Sequence, residues 1–349
     1  MVQNNTKKVL VGFDGSVDST VKPIRIAGTP NEFFSTIDEY GSYIASKAGL
    51  SCSIQIEQKE IYAGGCAPFV ATALANMGFD VTLVGMLGSD QILPEFEVLD
   101  EHGIKLRSFD DPSFNLCFEF DDGKIMLARQ VGELNGPFDK VVASLEDRID
   151  LLWKSDLVAM LNWGEITWMQ ELWMGAVECI ETNSTPDMSK IIFIDLADIS
   201  CRPKEDINRL LIFLKRATAI RHTILGMNEN EMLTLGRLAF GGCVGEELLR
   251  KLNQEKFAAE VVLQTLKMTT AYDGSRFYHR ATEYVEKPLI STGAGDNFNA
   301  GYCAAAILEL PMGKKIKLAN LSSHTYLTTG KPISRRIISN EICHVNLPF

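Results

Sequence analysis

A three-layer α/β/α fold around a mostly parallel central sheet is what this sequence predicts, and three observations predict it. Short apolar runs recur along the chain, and several end on a polar residue. Segments of helical pattern lie between them. One alternating stretch, 114–128, stands apart as a hairpin. The whole reads as a single domain over residues 1–349, with two segments, roughly 20–62 and 113–128, inserted as a small β lid.

The elements follow in order. Lys8 to Phe13 is a mainly apolar run broken by Gly12, the pattern of a buried strand. Between Thr20 and Tyr62, strand-like pieces such as Ile54-Gln55-Ile56 flank a helix-like Asn31 to Lys47. Phe69 to Met77 is an Ala-rich helix closed by Gly78, and Val81 to Met86 is the next strand. The hairpin turns at Asp121-Asp122-Gly123. Leu157 to Leu161, Ile191 to Asp195, Thr223 to Asn228 and Val261 to Leu263 repeat the strand theme. Thr167 to Thr182 and Lys204 to Ala217 supply helices between them. A second hairpin turns at Asp273-Gly274. In sheets of this kind ligands bind beyond the carboxyl ends of the strands, where Asp14, Asn162, Asp195 and Asn228 fall.

Composition narrows the function classes. The chain is 46% hydrophobic and 23% charged, as in ordinary globular proteins. A net charge of −11 argues against nucleic acid or an anionic membrane as the main partner. No apolar run approaches the length of a membrane span, and no apolar signal core opens the chain. Eight scattered cysteines form no CxxC pair, so reduced thiols in a cytoplasmic protein are expected. Five scattered histidines offer no paired metal motif.

Neither a P-loop nor a dinucleotide fingerprint is present. Three other features carry chemistry. Thr292-Gly293-Ala294-Gly295-Asp296 sets a tight turn and a carboxylate at the start of a helix of small and apolar residues. Free backbone N–H groups there attract an anion, and the acid beside them is placed to act as a base. The same pattern also fits a plain glycine turn with an acid near the helix dipole. Gly64-Gly65-Cys66-Ala67-Pro68 opens the Ala-rich helix, either as a close backbone approach to a ligand or as a tight turn. Asn228 and Glu231 share a helix face after a strand. They fit Mg²⁺ held through water, or an N-cap asparagine with its capping-box glutamate.

Together these features resemble the PfkB or ribokinase-like family of carbohydrate kinases. The family's D-T-x-G-A-G-D signature reads Ile290-Ser291-Thr292-Gly293-Ala294-Gly295-Asp296 here. Its G-G opening and Ala-rich helix match Gly64-Gly65 through Gly78, and its N-x-x-E matches Asn228 and Glu231. The late helix with Leu318-Ala319-Asn320-Leu321, ending near Gly330, also fits. The resemblance implies a ribokinase-like fold, ATP and Mg²⁺ as cofactors, and a sugar-like acceptor. It implies that Asp296 takes the acceptor hydroxyl's proton and that the N–H groups of Thr292 to Gly295 hold the transferring phosphoryl group. Asp14, Asp18, Gly64, Gly65 and Asn162 would meet the substrate. Asn228, Thr265, Lys267, Thr292 and Asn320 would meet the nucleotide, with Asn228 and Glu231 organising Mg²⁺. A homodimer through the lid is a further implication.

Departures from the family pattern sharpen these expectations. Ile290 stands where the family has an acid that helps hold a monovalent cation, so weak or no potassium activation is expected. Phe69 stands where an asparagine usually bonds substrate hydroxyls, which points to a less polar or larger acceptor. In the nucleotide loop Lys267 replaces the first glycine of T-x-G-x-x-G, and its lysine fits either a phosphate contact or plain solvation. The leading reading is an ATP-dependent kinase of a sugar or sugar-like alcohol. A silent ligand-binding protein on the same scaffold, and a nucleoside or vitamin kinase, are the alternatives. Trp163, beside Asn162, is a candidate for stacking on the substrate.

Overall fold

The computed structural model describes residues 6–129 and 131–340. Met1 to Asn5 and Cys343 lie outside the described residues. In chain order the strands are β1 (Lys8–Gly12), β2 (Ser16–Ile26), β3 (Glu32–Phe33), β4 (Ile56–Gly64), β5 (Asp80–Met86), β6 (Lys105–Asp110), β7 (Ser113–Phe120), β8 (Gly123–Ala128), β9 (Leu157–Met160), β10 (Asp187–Asp195), β11 (Arg221–Asn228), β12 (Glu260–Gln264), β13 (Met268–Tyr272) and β14 (Phe277–Ala281).

Nine strands form the large sheet in the order β14-β13-β12-β11-β10-β9-β1-β5-β6. From β12 to β6 all neighbours are parallel, and β13 and β14 add antiparallel strands at one edge. Period-two alternation explains why the sheet is covered on both sides. Val9, Val11 and Phe193 face one core with the helices Cys66–Asn76, Ala294–Ile307 and Met312–Thr329. Leu10, Val158 and Ile194 face the other, with Met169–Asn183, Lys204–Ile220 and Gly245–Gln254. Three layers result, as the sequence predicts.

The smaller sheet is β3-β2-β7-β8, with β4 paired to the other side of β2. It is longer than the sequence expectation: β2 begins at Ser16 and β4 runs to Gly64. The helical piece is only Ile37–Ala45, capped by the Thr36 hydroxyl, which accepts from the N–H of Glu39. Ile54 and Gln55 fall just outside β4. Both expected hairpins form, β7–β8 and β13–β14.

Two helix boundaries matter for the site. The Ala-rich helix starts at Cys66, three residues before the expected Phe69, because the Asp14 carboxylate accepts from the N–H groups of Cys66 and Ala67 at 2.8 and 2.7 Å. The helix Ala294–Ile307 starts from Gly293, whose φ of 88° lies in the left-handed region where glycine carries no penalty.

Candidate active site

Two cavities flank the start of the helix Ala294–Ile307, and Asp296 lines one of them. One, of about 600 Å³, is walled by Asp14, Asp18, Asn162, Glu165, Thr292 and Asp296 among others. The other, of about 620 Å³, is lined by Asn228, Thr265, Tyr284, Glu286, Ser291 and Asn320 among others. A narrow space of about 180 Å³, lined by Asp195, Asn228, Glu231 and Asp296, lies between these residues.

Asp296 is the third residue of its helix, so it sits in the positive field of the N-terminus. The first-turn N–H groups of Gly295 and Asp296 have no carbonyl four residues back to bond. Ala294 N–H is partly used, donating to the Ser291 carbonyl at 3.3 Å. Burial, then the Asp195 and Asp14 carboxylates, push Asp296 well above the usual carboxylate range. The Cys66 thiol donates toward Asp296 and partly opposes that rise.

On the wall of the cavity that Asp296 lines, hydrogen bonds lock the acids in place. Asp14 also accepts from the Asn162 amide at 2.9 Å, and that amide reaches Glu165 at 3.1 Å. Asp18 accepts from Ser16 Oγ at 2.7 Å and from the Asn115 amide at 2.8 Å. Burial raises the pKa values of Asp14, Asp18 and Glu165. Gly64 and Gly65 make room for these acids. A Cβ at Gly64 would lie 2.2 Å from the Asp18 carboxyl carbon, and one at Gly65 would lie 2.9 Å from Asp14 Oδ2. Gly65 lines the cavity, whereas Gly64 stands behind Asp18 and acts through it. Phe69 lines the cavity too, and its ring packs against the Gly293 backbone.

Asn228 and Glu231 form the capping box: Glu231 N–H donates to Asn228 Oδ1, and Asn228 N–H donates to Glu231 Oε2, both at 3.0 Å. Glu231 nevertheless faces the narrow space, where burial and the Asp195 carboxylate push it well above its usual value. Burial likewise pushes Asp195 up to about 6. This donor set of carboxylates and amides is the hard oxygen type that Mg²⁺ takes. Among the described residues no three His, Cys, Asp or Glu side chains stand close enough to hold a bare ion.

Two expected contacts move. Lys267 sits in the turn after β12, its N–H donating to Thr265 Oγ1 at 3.3 Å, and it does not line the nucleotide-side cavity. Thr265 and Asn320 do line it. Trp163 is fully buried, with the Arg202 guanidinium 4.4 Å from its ring centre and its indole N–H on Gln170, so it is core and not a stacking platform. Arg202 lines the cavity that holds Asp14 and Asp18, but its N–H groups are used on the carbonyls of Trp163, Gly164, Ile166 and Thr167 and on Asp206.

Sequence reasoning missed Cys66, Asn115, Arg129 and Glu165 on these walls, and Lys124 beside them. Glu165 had a signal: Asn162-Trp163-Gly164-Glu165 repeats the strand-end Asn-x-x-Glu spacing of Asn228 to Glu231. The others arrive by long-range pairing, which a single sequence does not display.

A sheet of this topology, with a glycine turn and an acid at the helix start, defines a PfkB-type, ribokinase-like carbohydrate kinase. A profile of the prokaryotic ketohexokinase family matches residues 2–343, and the chain belongs to that family. A ketohexokinase from Haloferax volcanii is 24% identical over 343 residues, covering 93% of this chain and 88% of the relative. An adenosine kinase from Sinorhizobium meliloti superposes with a TM-score of 0.67 at 15% identity, covering 96% of this chain and 99% of that one. A phosphofructokinase-2 variant from Escherichia coli gives 0.67 at 12% identity, with 97% and 98% coverage. The chain is thus a kinase that phosphorylates a hydroxyl of a sugar or sugar-like molecule. No helix among the described residues is long and apolar enough to cross a membrane.

Proposed function

We propose that the chain transfers the γ-phosphoryl group of ATP to a hydroxyl of an unphosphorylated ketohexose, in the cytoplasm, with Asp296 as the base. The observation that carries this is Asp296 itself, on the wall shared by the cavity that holds Asp14 and Asp18 and the narrow acidic space. The acceptor oxygen attacks the γ-phosphorus, the bond to the ADP oxygen breaks, and the hydroxyl proton passes to Asp296. A carboxylate raised above its usual range accepts that proton more readily than an ordinary one. The N–H groups of Gly295 and Asp296 face the charge that develops on the phosphoryl oxygens.

Asp14, Asp18, Asn162 and Glu165 would accept from and donate to the sugar's hydroxyls. Their fixed geometry favours one acceptor shape. Acids dominate this wall: Asp14, Asp18, Glu165, Asp198 and Asp296 line it against Arg129 and the fully bonded Arg202, with Lys124 beside it at the hairpin tip. That balance disfavours a sugar phosphate or a sugar acid. Asn228 and Glu231, with Asp195, would hold Mg²⁺ through its waters. When bound, Mg²⁺ neutralises charge on the donor phosphates. Thr265 and Asn320 would contact the nucleotide. Ile290 gives a monovalent cation no side-chain ligand, so potassium activation is absent or small.

The smaller sheet would serve as the lid, excluding water from the transferring group. Its outer face carries a registered row of exposed apolar residues, Leu127, Leu116 and Ile61, beside Phe114. The helix Ile37–Ala45 covers only part of that face, with Tyr40 against Phe118. A homodimer through the uncovered part is the partner reading, tested by sedimentation of the chain beside Leu116→Lys.

The function is tested by measuring ADP and sugar phosphate formed from Mg-ATP with ketohexoses, aldohexoses, sugar acids and adenosine. A ketohexose is expected to turn over fastest, and Asp296→Asn to lose about 1,000-fold or more in kcat. Full activity in Asp296→Asn would overturn the base assignment, and a preference for adenosine would overturn the acceptor.

A further inference from the structure

The smaller sheet makes a direct side-chain contact with the catalytic turn. Lys124 Nζ donates to Thr292 Oγ1 at 2.6 Å, joining residues 168 positions apart. Thr292 immediately precedes Gly293, from which the Asp296 helix starts.

Lys124 lies at the tip of the β7–β8 hairpin, opposite Glu119. Residues 124, 126 and 128 share one face of β8 by strand alternation. Met126 and Ala128 line the acceptor cavity, so Lys124 sits on the cavity side. The tip itself is braced. Asp121 N–H donates to the Ser35 carbonyl, and Asp122 Oδ1 accepts from Ile37 N–H, both at 2.8 Å. Lys124 is exposed, yet its ammonium is fixed on Thr292, and fixing so long a side chain costs rotamer freedom.

The ammonium faces acids on three elements: Asp18 on β2, Glu119 on β7 and Asp296 on the catalytic helix, with the Cys117 thiol also near. The residue is exposed at the hairpin tip, and partial burial of its ammonium end lowers its pKa while those neighbours oppose the fall.

We propose that Lys124 is the positioning residue that makes closure of the smaller sheet a condition of phosphoryl transfer, acting through Thr292. With the hairpin down, Lys124 holds the Thr292–Gly293 turn, and with it the N–H groups that receive the transferring phosphoryl group. It also seals the acceptor cavity beside Asp296. With the hairpin up, the turn loses its only side-chain tie to the hairpin among the described residues, and water has access to the donor. This rests on the kinase chemistry proposed above.

Lys124→Met and Lys124→Arg are the test, each compared with wild type and Asp296→Asn. Lys124→Met is expected to lower kcat for sugar phosphate about 100-fold, with KM for ATP within about threefold. It is also expected to release more ADP than sugar phosphate, which a purely structural role would not produce. Lys124→Arg is expected to recover activity to within about 10-fold of wild type, since a cation and donor remain. Thr292→Val is expected to match Lys124→Met, and the double variant to lose no more than either.

Hydrogen exchange reads the latch without any turnover. Amides of 113–128 in the ligand-free protein should exchange about 10-fold faster in Lys124→Met. Unchanged exchange, or a Lys124→Met enzyme that keeps wild-type kcat and a one-to-one product ratio, overturns the inference. A wild type that phosphorylates no sugar sinks the proposed acceptor instead, while exchange still decides the latch. An unchanged melting temperature of Lys124→Met excludes misfolding as the cause.

Discussion

The acceptor cavity and the nucleotide-side cavity are nearly equal in volume, about 600 and about 620 Å³, yet they are built by opposite means. The acceptor wall is rigid and charged: Asp14 is tied to a helix N-terminus and to Asn162, and Asp18 to Ser16 and Asn115. The nucleotide-side wall includes long, open side chains, with Leu266 74% and Tyr284 71% exposed. The difference teaches where selectivity resides. Locked acids accept one arrangement of hydroxyls, whereas exposed apolar surface adapts to whatever lies on it.

The comparison is sharpened first by Asp14→Asn. An amide cannot accept from the N–H groups of both Cys66 and Ala67 with both of its heavy atoms. Its kcat/KM for the acceptor is expected to fall about 100-fold while KM for ATP stays within about threefold. An equal loss on both substrates would break the contrast between the cavities. Gly64→Ala comes next. Its Cβ would meet the Asp18 carboxylate at 2.2–2.4 Å, so Asp18 must shift. We expect acceptor KM to rise about 10-fold and the melting temperature to fall by about 4 °C or more.

A smaller effect is the pH dependence of stability. Asp195 titrates near 6 in the folded chain against 3.8 for an ordinary aspartate. The folded state therefore holds that proton more tightly, and stability falls as pH rises through the interval between those values. In EDTA, Asp195→Asn is expected to flatten the decline in melting temperature across this window. Mg²⁺ is expected to stabilise the wild type more at pH 8 than at pH 5, because it binds the ionised acids. An identical pH profile for Asp195→Asn would contradict the assignment. The smallest effects belong to the nucleotide side. Lys267→Ala should leave KM for ATP within about twofold, and potassium at constant ionic strength should change kcat by less than about twofold. A large loss from Lys267→Ala would show that the loop carries a fixed phosphate contact after all.

The legibility of the chain follows the same divide. The parallel strands were visible because each is a short apolar run, such as Leu157 to Met160 or Ile191 to Ile194. The glycine turn at 293–295 was visible because its residue types serve few other purposes. β2 was hidden because Ser16-Val17-Asp18-Ser19-Thr20 mixes polar residues that are buried, not solvated, so hydrophobic periodicity does not report it. The start of the Ala-rich helix was missed by three residues because Asp14, 52 positions away from Cys66, supplies its cap. Lys124 was invisible for the same reason: its partner Thr292 is remote in sequence, and a lone lysine in a hairpin reads as a solvated one. Local pattern reaches the scaffold, while the acceptor wall is assembled from pairings that only the fold creates.

The central claim, that the acidic acceptor wall selects a neutral sugar for attack assisted by Asp296, is tested most directly by one ratio. That ratio is kcat/KM for a ketohexose over kcat/KM for its monophosphate, measured with saturating Mg-ATP. The account predicts a ratio of about 1,000 or more, since Asp14, Asp18, Glu165, Asp198 and Asp296 on this wall outnumber the cations Arg129, Arg202 and Lys124 at and beside it. A ratio near one, or a preference for the phosphorylated sugar, would contradict it.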